Sequence, residues 1–217
     1  MRDLLNPSFV LHWSPMTIVD SPVTPKGEQT RAAILATAIE RFGANGFRST
    51  SVADIARHAG VSGTAAYAYF PNKEALFYAA VDEDAAGTIA EGLAHLQGSG
   101  PSVEDWRAGL VLSLVDALER HPLARRLLAG LEPEVTPRVL DIPALSEMRY
   151  AVADRLRADQ SLGLVRSDID PDLISEGVIS IVLALLMAVV QLGPEAALPY
   201  ADSVTAVFAA AAEVPKA

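Results

Sequence analysis

The run Ser62-Gly63-Thr64-Ala65-Ala66-Tyr67-Ala68-Tyr69, followed by a lysine at Lys73, is the densest set of groups in this chain that could do chemistry. That chemistry is recognition by hydrogen bonding. Small residues let a backbone approach a groove wall, hydroxyls can bond phosphate oxygens or base edges, and the Asn72-Lys73 start of a following helix joins free amide donors to a positive charge. Thr50 and Ser51 add two hydroxyls upstream. Catalytic arrangements do not emerge. The histidines His12, His58, His95 and His121 lack HExxH or Glu-x-x-His spacing, and no GxSxG elbow, P-loop or dinucleotide fingerprint occurs. The chain has no cysteine, which removes disulfides and thiolate metal sites. Carboxylate runs such as Asp82-Glu83-Asp84 and Glu104-Asp105 read as solvated helix starts. The expectation is a protein that is not an enzyme and uses neither cofactor nor metal.

The elements that must position these groups are helices. Ile34, Leu35, Ala38, Ile39 and Phe42 recur at helical spacing, and the helix they define is expected to stop at Gly43 and again at Gly46. Ser51 with Asp54 three residues on starts a second helix, whose buried stripe is Val52, Ile55, Ala56 and Ala59. Gly60 permits the sharp turn into a third, short helix capped by Ser62, and Asn72 caps a fourth. Two short helices joined by a glycine-containing turn make a DNA-reading unit whose second helix enters the major groove.

Thr50, Ser51 and Val52, then Ile55 and Ala56, then Ala59, Gly60, Val61 and Ser62, then Tyr67, Tyr69 and Phe70, and finally Lys73, Glu74, Ala75 and Leu76 stand in the order and spacing of a known signature. Over about fifty residues the chain resembles the TetR family of bacterial transcriptional regulators. The resemblance implies DNA contacts from Thr50, Ser51, Ser62, Gly63, Thr64, Ala65, Tyr67, Tyr69 and Lys73. One departure stands out: where the family usually has Gly-Thr-Leu-Tyr, this chain has Thr64-Ala65-Ala66-Tyr67. Ala65 therefore occupies the place of a phosphate-binding threonine, and Thr64 that of a glycine.

Charge is segregated in a way that fits. The net charge is −10, yet residues 26–80 carry six basic and four acidic side chains while residues 81–217 carry ten basic and twenty-one acidic ones. An acidic body is repelled by duplex phosphates, which leaves the head as the contact surface and makes a dimer useful for doubling its few cationic contacts. Three regions follow: a flexible arm at 1–25 with four prolines, a DNA-binding domain at 26–80, and an effector-binding and dimerisation domain at 81–217. No secretory signal is legible in the first residues, so the cytoplasm is expected, with Met16 an alternative start to Met1.

Beyond Asp82 the pattern is helices punctuated by Gly and Pro, so the fold class is all-α: a three-helix helix-turn-helix head plus a helical ligand-binding and dimerisation bundle. Helices are expected from about Ser102 to Arg120, Leu123 to Leu131, Pro143 to Gln160, Pro171 to Leu192 and Leu198 to Glu213. Residues 178–190, VISIVLALLMAVV, are apolar nearly all round and must be buried on more than one side. A membrane span is the weaker account, because the uncharged stretch 177–194 only reaches the lower limit of about 17 to 25 residues and its flanks are acidic. A second copy of the chain is the better partner. The expected interface comprises Val182, Leu185, Leu186, Val189, Val204 and Phe208, in agreement with the dimers the resemblance implies. Trp106, Met148, Tyr150 and Met187 are candidate walls for a ligand cavity, whose occupant should be largely apolar with one or two polar handles. The reading is a homodimeric repressor released from palindromic operator DNA by a small molecule. The competing reading is a helical small-molecule binder or enzyme that has lost DNA binding.

Overall fold

A computed structural model of the chain describes residues 25–98, 103–133, 139 and 141–214. Among these residues the chain forms nine helices: α1 Pro25–Ser49, α2 Val52–His58, α3 Gly63–Tyr69, α4 Lys73–Gly98, α5 Val103–Ala117, α6 Pro122–Leu128, α7 Pro143–Ser161, α8 Pro171–Leu192 and α9 Pro194–Ala212. The arm expected at 1–25 lies outside the described residues except for Pro25. One isolated antiparallel bridge, Val165 to Glu213, ties the end of α9 to the turn between α7 and α8.

Local signals explain most boundaries. Ser51 caps α2 by accepting the N–H of Asp54, and Ser62 caps α3 by accepting that of Ala65. At the end of α2 the N–H of Val61 reaches the carbonyl of Ala56 and that of Gly60 the carbonyl of Arg57, with Gly60 at φ 73°. This paired closure needs a left-handed residue, which glycine supplies without penalty. The same closure ends α6 through Gly130 and Leu131, which is why α6 stops at Leu128 and not at Leu131. Prolines at the first turn set the starts of α6, α8 and α9, so α9 begins at Pro194, ahead of the expected Leu198.

Gly43 departs from expectation. It lies inside α1, and the break comes only at Gly46, whose φ of 78° and ψ of 169° are not helical. Gly43 answers a different need: a Cβ there would lie 2.8 Å from the Cβ of Pro122, so its absence lets α6 pack closely on α1. Phe42, Phe47 and Phe77 then join the head to α4, with Phe77 centred 4.9 Å from each of the other two rings. The long α4 starts in the head and runs on as the spine of the bundle, against α5, α6 and α7.

α8 buries Val178, Ile179, Val182 and Leu186 against the core of its own chain, while Leu173, Met187 and Leu192 remain exposed. Its length and composition alone would allow it to cross a membrane.

Candidate nucleic-acid interface and effector cavity

The head presents α3 outward. Ala66 is fully buried and anchors it, while Thr64, Tyr67 and Ala68 share the exposed side and Tyr67 is 53 % exposed. Gly63 is half-buried with nothing within 4 Å of a would-be Cβ, Ala65 is half-buried, and Tyr69 packs partly into the core. Ser51 and Ser62 are exposed, each with its hydroxyl oxygen engaged as a cap acceptor. A capping hydroxyl can still donate its proton outward.

Thr50 is a correction. It is buried, and its hydroxyl lies 2.8 Å from the carbonyl of Gly46 and 3.2 Å from that of Arg41. The break at Gly46 leaves carbonyls of the last turn of α1 without helical partners, and the threonine hydroxyl takes one. Its side chain therefore fastens the turn instead of meeting a phosphate.

Lys73 opens α4 beside Asn72, which accepts the N–H of Ala75 at 2.7 Å. The lysine Nζ stands 4.4 Å from the centre of the Phe47 ring and 3.4 Å from the carbonyl oxygen of Arg48. A cation held by an aromatic face and one carbonyl keeps donors for a further oxygen. Arg31, which the sequence reading did not single out, lies with its guanidinium 5.1 Å from the centre of the Phe70 ring, at the end of α3. The stacking needs tertiary contact between α1 and α3, so no local signal announced it. Asp54 joins α2 to α1 by accepting from Arg41 Nε at 2.9 Å and Nη2 at 2.6 Å, and Arg57 pairs with it too. The hydrogen bond from Arg41 holds the Asp54 carboxyl below the usual aspartate value. His58 Nδ1 lies 2.8 Å from the carbonyl oxygen of Asp54, one helical turn earlier.

Behind the head, α4, α5, α6, α7 and α8 surround a half-open apolar cavity of about 60 Å³. Ala85 and Ile89 of α4, Leu114 of α5, Leu127 of α6, Met148 of α7 and Val182 of α8 represent its five sides. Every lining side chain is hydrocarbon or thioether except Thr88, whose hydroxyl donates to the carbonyl of Asp84 at 3.0 Å. The expected polar handles are therefore missing from the described wall, and a polar end of an occupant must sit at the mouth.

The four candidate ligand residues separate. Met148 lines the cavity. Trp106 is buried outside it, its indole N–H donating to Asp159 at 3.2 Å, and it is a core residue. Tyr150, 68 % exposed, borders a polar surface groove with Ser146 and Arg149, and Met187 lies on the outer side of α8. The proposed interface set separates likewise. Val182 and Leu186 turn inward to the cavity, so that side of α8 is closed to a second copy, while Leu185, Val189, Val204 and Phe208 stay partly accessible. An all-round apolar helix has no stripe to reveal which side its own chain will claim.

Asp84, read as solvated, is 3 % exposed. Its carboxylate accepts the N–H groups of Leu123 at 2.9 Å and Ala124 at 2.8 Å, and lies 2.8 Å from His121 Nδ1. α6 has no side-chain cap of its own, so α4 provides one from outside. Gly87 makes room for the His121 ring, with which a Cβ would collide. α6 is thus one wall of the cavity and is docked on both α4 and α1.

Residues 34–80 match the family pattern described as "Bacterial regulatory proteins, tetR family". The HTH-type transcriptional regulator EthR of Mycolicibacterium smegmatis is 43 % identical over 58 residues, 27 % of this chain and 27 % of that protein. The chain thus spans about a quarter of that relative's length. An uncharacterized HTH-type transcriptional regulator, YdgC of Bacillus subtilis, is 24 % identical over 162 residues, covering 72 % of this chain and 79 % of that one. In fold, the chain is similar to SmeT, described as the repressor of the Stenotrophomonas maltophilia multidrug efflux pump SmeDEF, with a TM-score of 0.62, 22 % identity, and coverage of 86 % and 93 %. SmeT has also been solved with triclosan.

Proposed function

We propose that the chain is a member of the tetR family of bacterial regulatory proteins, whose pattern its residues 34–80 match, and that it is a cytoplasmic homodimeric repressor, released from an inverted-repeat operator by a small apolar ligand. One observation carries this reading. The same helices that wall an apolar cavity, α4 and α6, are packed against the helix-turn-helix head. A molecule that occupies the cavity contacts two helices that pack against α1, on which α2 and α3 rest.

Thr64, Tyr67 and Lys73 supply groove and phosphate contacts, with Ser51 and Ser62 at the helix starts and Arg31 beside them. The dimer forms through the outer sides of α8 and α9, where Leu185, Val189, Val204 and Phe208 meet a second copy. Two-fold protein symmetry then demands two-fold operator symmetry. Ligand binding favours a conformation in which the two heads no longer match successive major grooves. The ligand is hydrocarbon over most of its length, as a wall without free polar groups requires. SmeT, similar to this chain in fold, has been solved in complex with the small molecule triclosan.

Selection of bound fragments from genomic DNA, followed by gel shift, tests the first half. An inverted repeat bound by the dimer is expected. Failure to retain any duplex would favour the other reading, a small-molecule binder that has lost DNA recognition, for which Ala65 in place of threonine is the motivating feature. A thermal-shift screen of apolar compounds tests the second half. Ligand at about 100-fold excess over its dissociation constant should stabilise the fold by roughly 2.7 kcal/mol. The same compound must release operator, since equal affinity for both states shifts neither.

A further inference from the structure

Glu132 lies beyond the end of α6, where the Gly130 turn folds the chain back alongside Arg126. It is nearly buried, and it does not line the cavity. Its Oε1 accepts from Arg126 Nε at 2.7 Å and also from the backbone N–H of Phe47 at 3.2 Å, 85 residues away in the head. That N–H is available because Gly46 breaks α1 one residue earlier. An uninterrupted helix would have directed it to the carbonyl of Gly43. Gly46 also leaves the space: a Cβ there would come within 2.6 Å of the same carboxylate oxygen and would collide with the Arg126 guanidinium.

On the far side of Phe47 is the DNA surface. The Phe47 ring and the carbonyl of Arg48 are the two groups that hold the Lys73 ammonium. On the near side, Arg126 sits next to Leu127, which lines the cavity along with Ala124. An unbroken series of contacts therefore runs from the cavity wall through Arg126 and Glu132 to the backbone of the α1–α2 turn and on to Lys73.

We propose that the Glu132 carboxylate, held by Arg126, is a positioning group for DNA binding: it fastens the α1–α2 turn to the cavity-walling helix and thereby sets Lys73 for its phosphate. Displacement of α6 by an occupant withdraws this acceptor from Phe47 and loosens the turn. The proposal rests on the reading of the head as a DNA binder and adds a second connection to the head, one that passes through α6 and the α1–α2 turn and not along the length of α4.

The test uses the full chain and the inverted-repeat duplex recovered by selection. Glu132→Ala should speed hydrogen exchange at the Phe47 amide by at least tenfold. It should weaken operator binding about tenfold and reduce the salt slope of binding by about one unit per head. Glu132→Gln retains an oxygen that can accept from Phe47 and should stay within about threefold of the parent in both measurements. Glu119→Ala, which removes an exposed ion pair between the α5–α6 turn and Arg125 of α6, is the control and should change neither. Parental operator affinity and slope in Glu132→Ala, unchanged exchange at Phe47, or a Gln variant as impaired as the Ala variant would each overturn the proposal.

Ala124→Met, which pushes a flexible side chain into the cavity, tests the coupling in a double-mutant cycle. It should weaken operator binding in the parent and do so less in the Glu132→Ala background. No effect in the parent, or equal effects in both, would show that the cavity does not act through Glu132. If the parent binds no duplex at all, the DNA-binding reading itself fails, while exchange at Phe47 still decides whether Glu132 holds the turn.

Discussion

The carboxylate of Asp84, in the middle of α4, accepts the backbone N–H of Ala124 at 2.8 Å and so caps a helix 40 residues further along the chain. Leu123 donates to the same oxygen. Truncation by Asp84→Ala should orphan two buried donors and cost about 1–3 kcal/mol for each. Asp84→Asn, whose amide oxygen can still accept, should cost less. Urea unfolding of the two variants measures the difference, and equal losses would show that charge, not acceptance, is what α6 requires.

Gly43 and Gly63 should respond in opposite ways to alanine. At Gly43 the new methyl would press on Pro122 and the backbone of Leu123, an overpacking that costs about 1–3 kcal/mol. At Gly63 it would meet nothing within 4 Å, so stability should change by no more than about 0.5 kcal/mol. Thermal unfolding distinguishes them, and a tolerant Gly43 would mean that α1 and α6 can separate freely.

Lys73→Ala should weaken binding to every duplex and lower the salt slope by about one unit for each lost contact, because a phosphate contact carries no sequence information. Fluorescence anisotropy across a salt series reads the slope directly. An unchanged slope would remove Lys73 from the interface.

Acid should loosen the joint between α1 and α2. Arg41 holds the Asp54 carboxyl below its ordinary value, so the stabilisation is complete above the unfolded-state value of about 3.9 and is lost as pH falls through the lower folded value. Arg41→Gln should therefore be less stable than the parent at neutral pH, with the gap closing below about pH 4. A gap that persists at low pH would show that packing by Arg41, not its charge, joins the helices.

The two sides of α8 should fail differently. Val182→Asp places a charge in the cavity wall and should prevent folding, whereas Leu185→Glu, on the partly accessible side, should leave a folded chain that no longer dimerises. Circular dichroism and sedimentation separate the outcomes. A Leu185→Glu variant that remains dimeric would move the interface elsewhere.

Much of the head was legible in the sequence because its determinants are local. Caps at Ser51, Ser62 and Asn72 and the turn at Gly60 act within a few residues of themselves, and periodic apolar positions such as Ile34, Leu35, Ala38 and Phe42 did become the core. The same locality fixed α8 at Pro171–Leu192, between a capping Asp170 with its following proline and Gly193. What the sequence could not determine was direction. Thr50 turned inward because a break at Gly46 opened carbonyls to it, and Asp84 became buried because α6 arrived with donors in need of an acceptor. Val182 and Leu186 faced the cavity while Leu185 stayed partly accessible, and Met148 entered the cavity that Trp106 did not. Composition and spacing establish that a residue lies on a helix and that apolar surface must be covered. Which helix covers it, and which distant backbone group completes a buried carboxylate, depends on contacts across tens of residues, and only the packed chain brings those partners together.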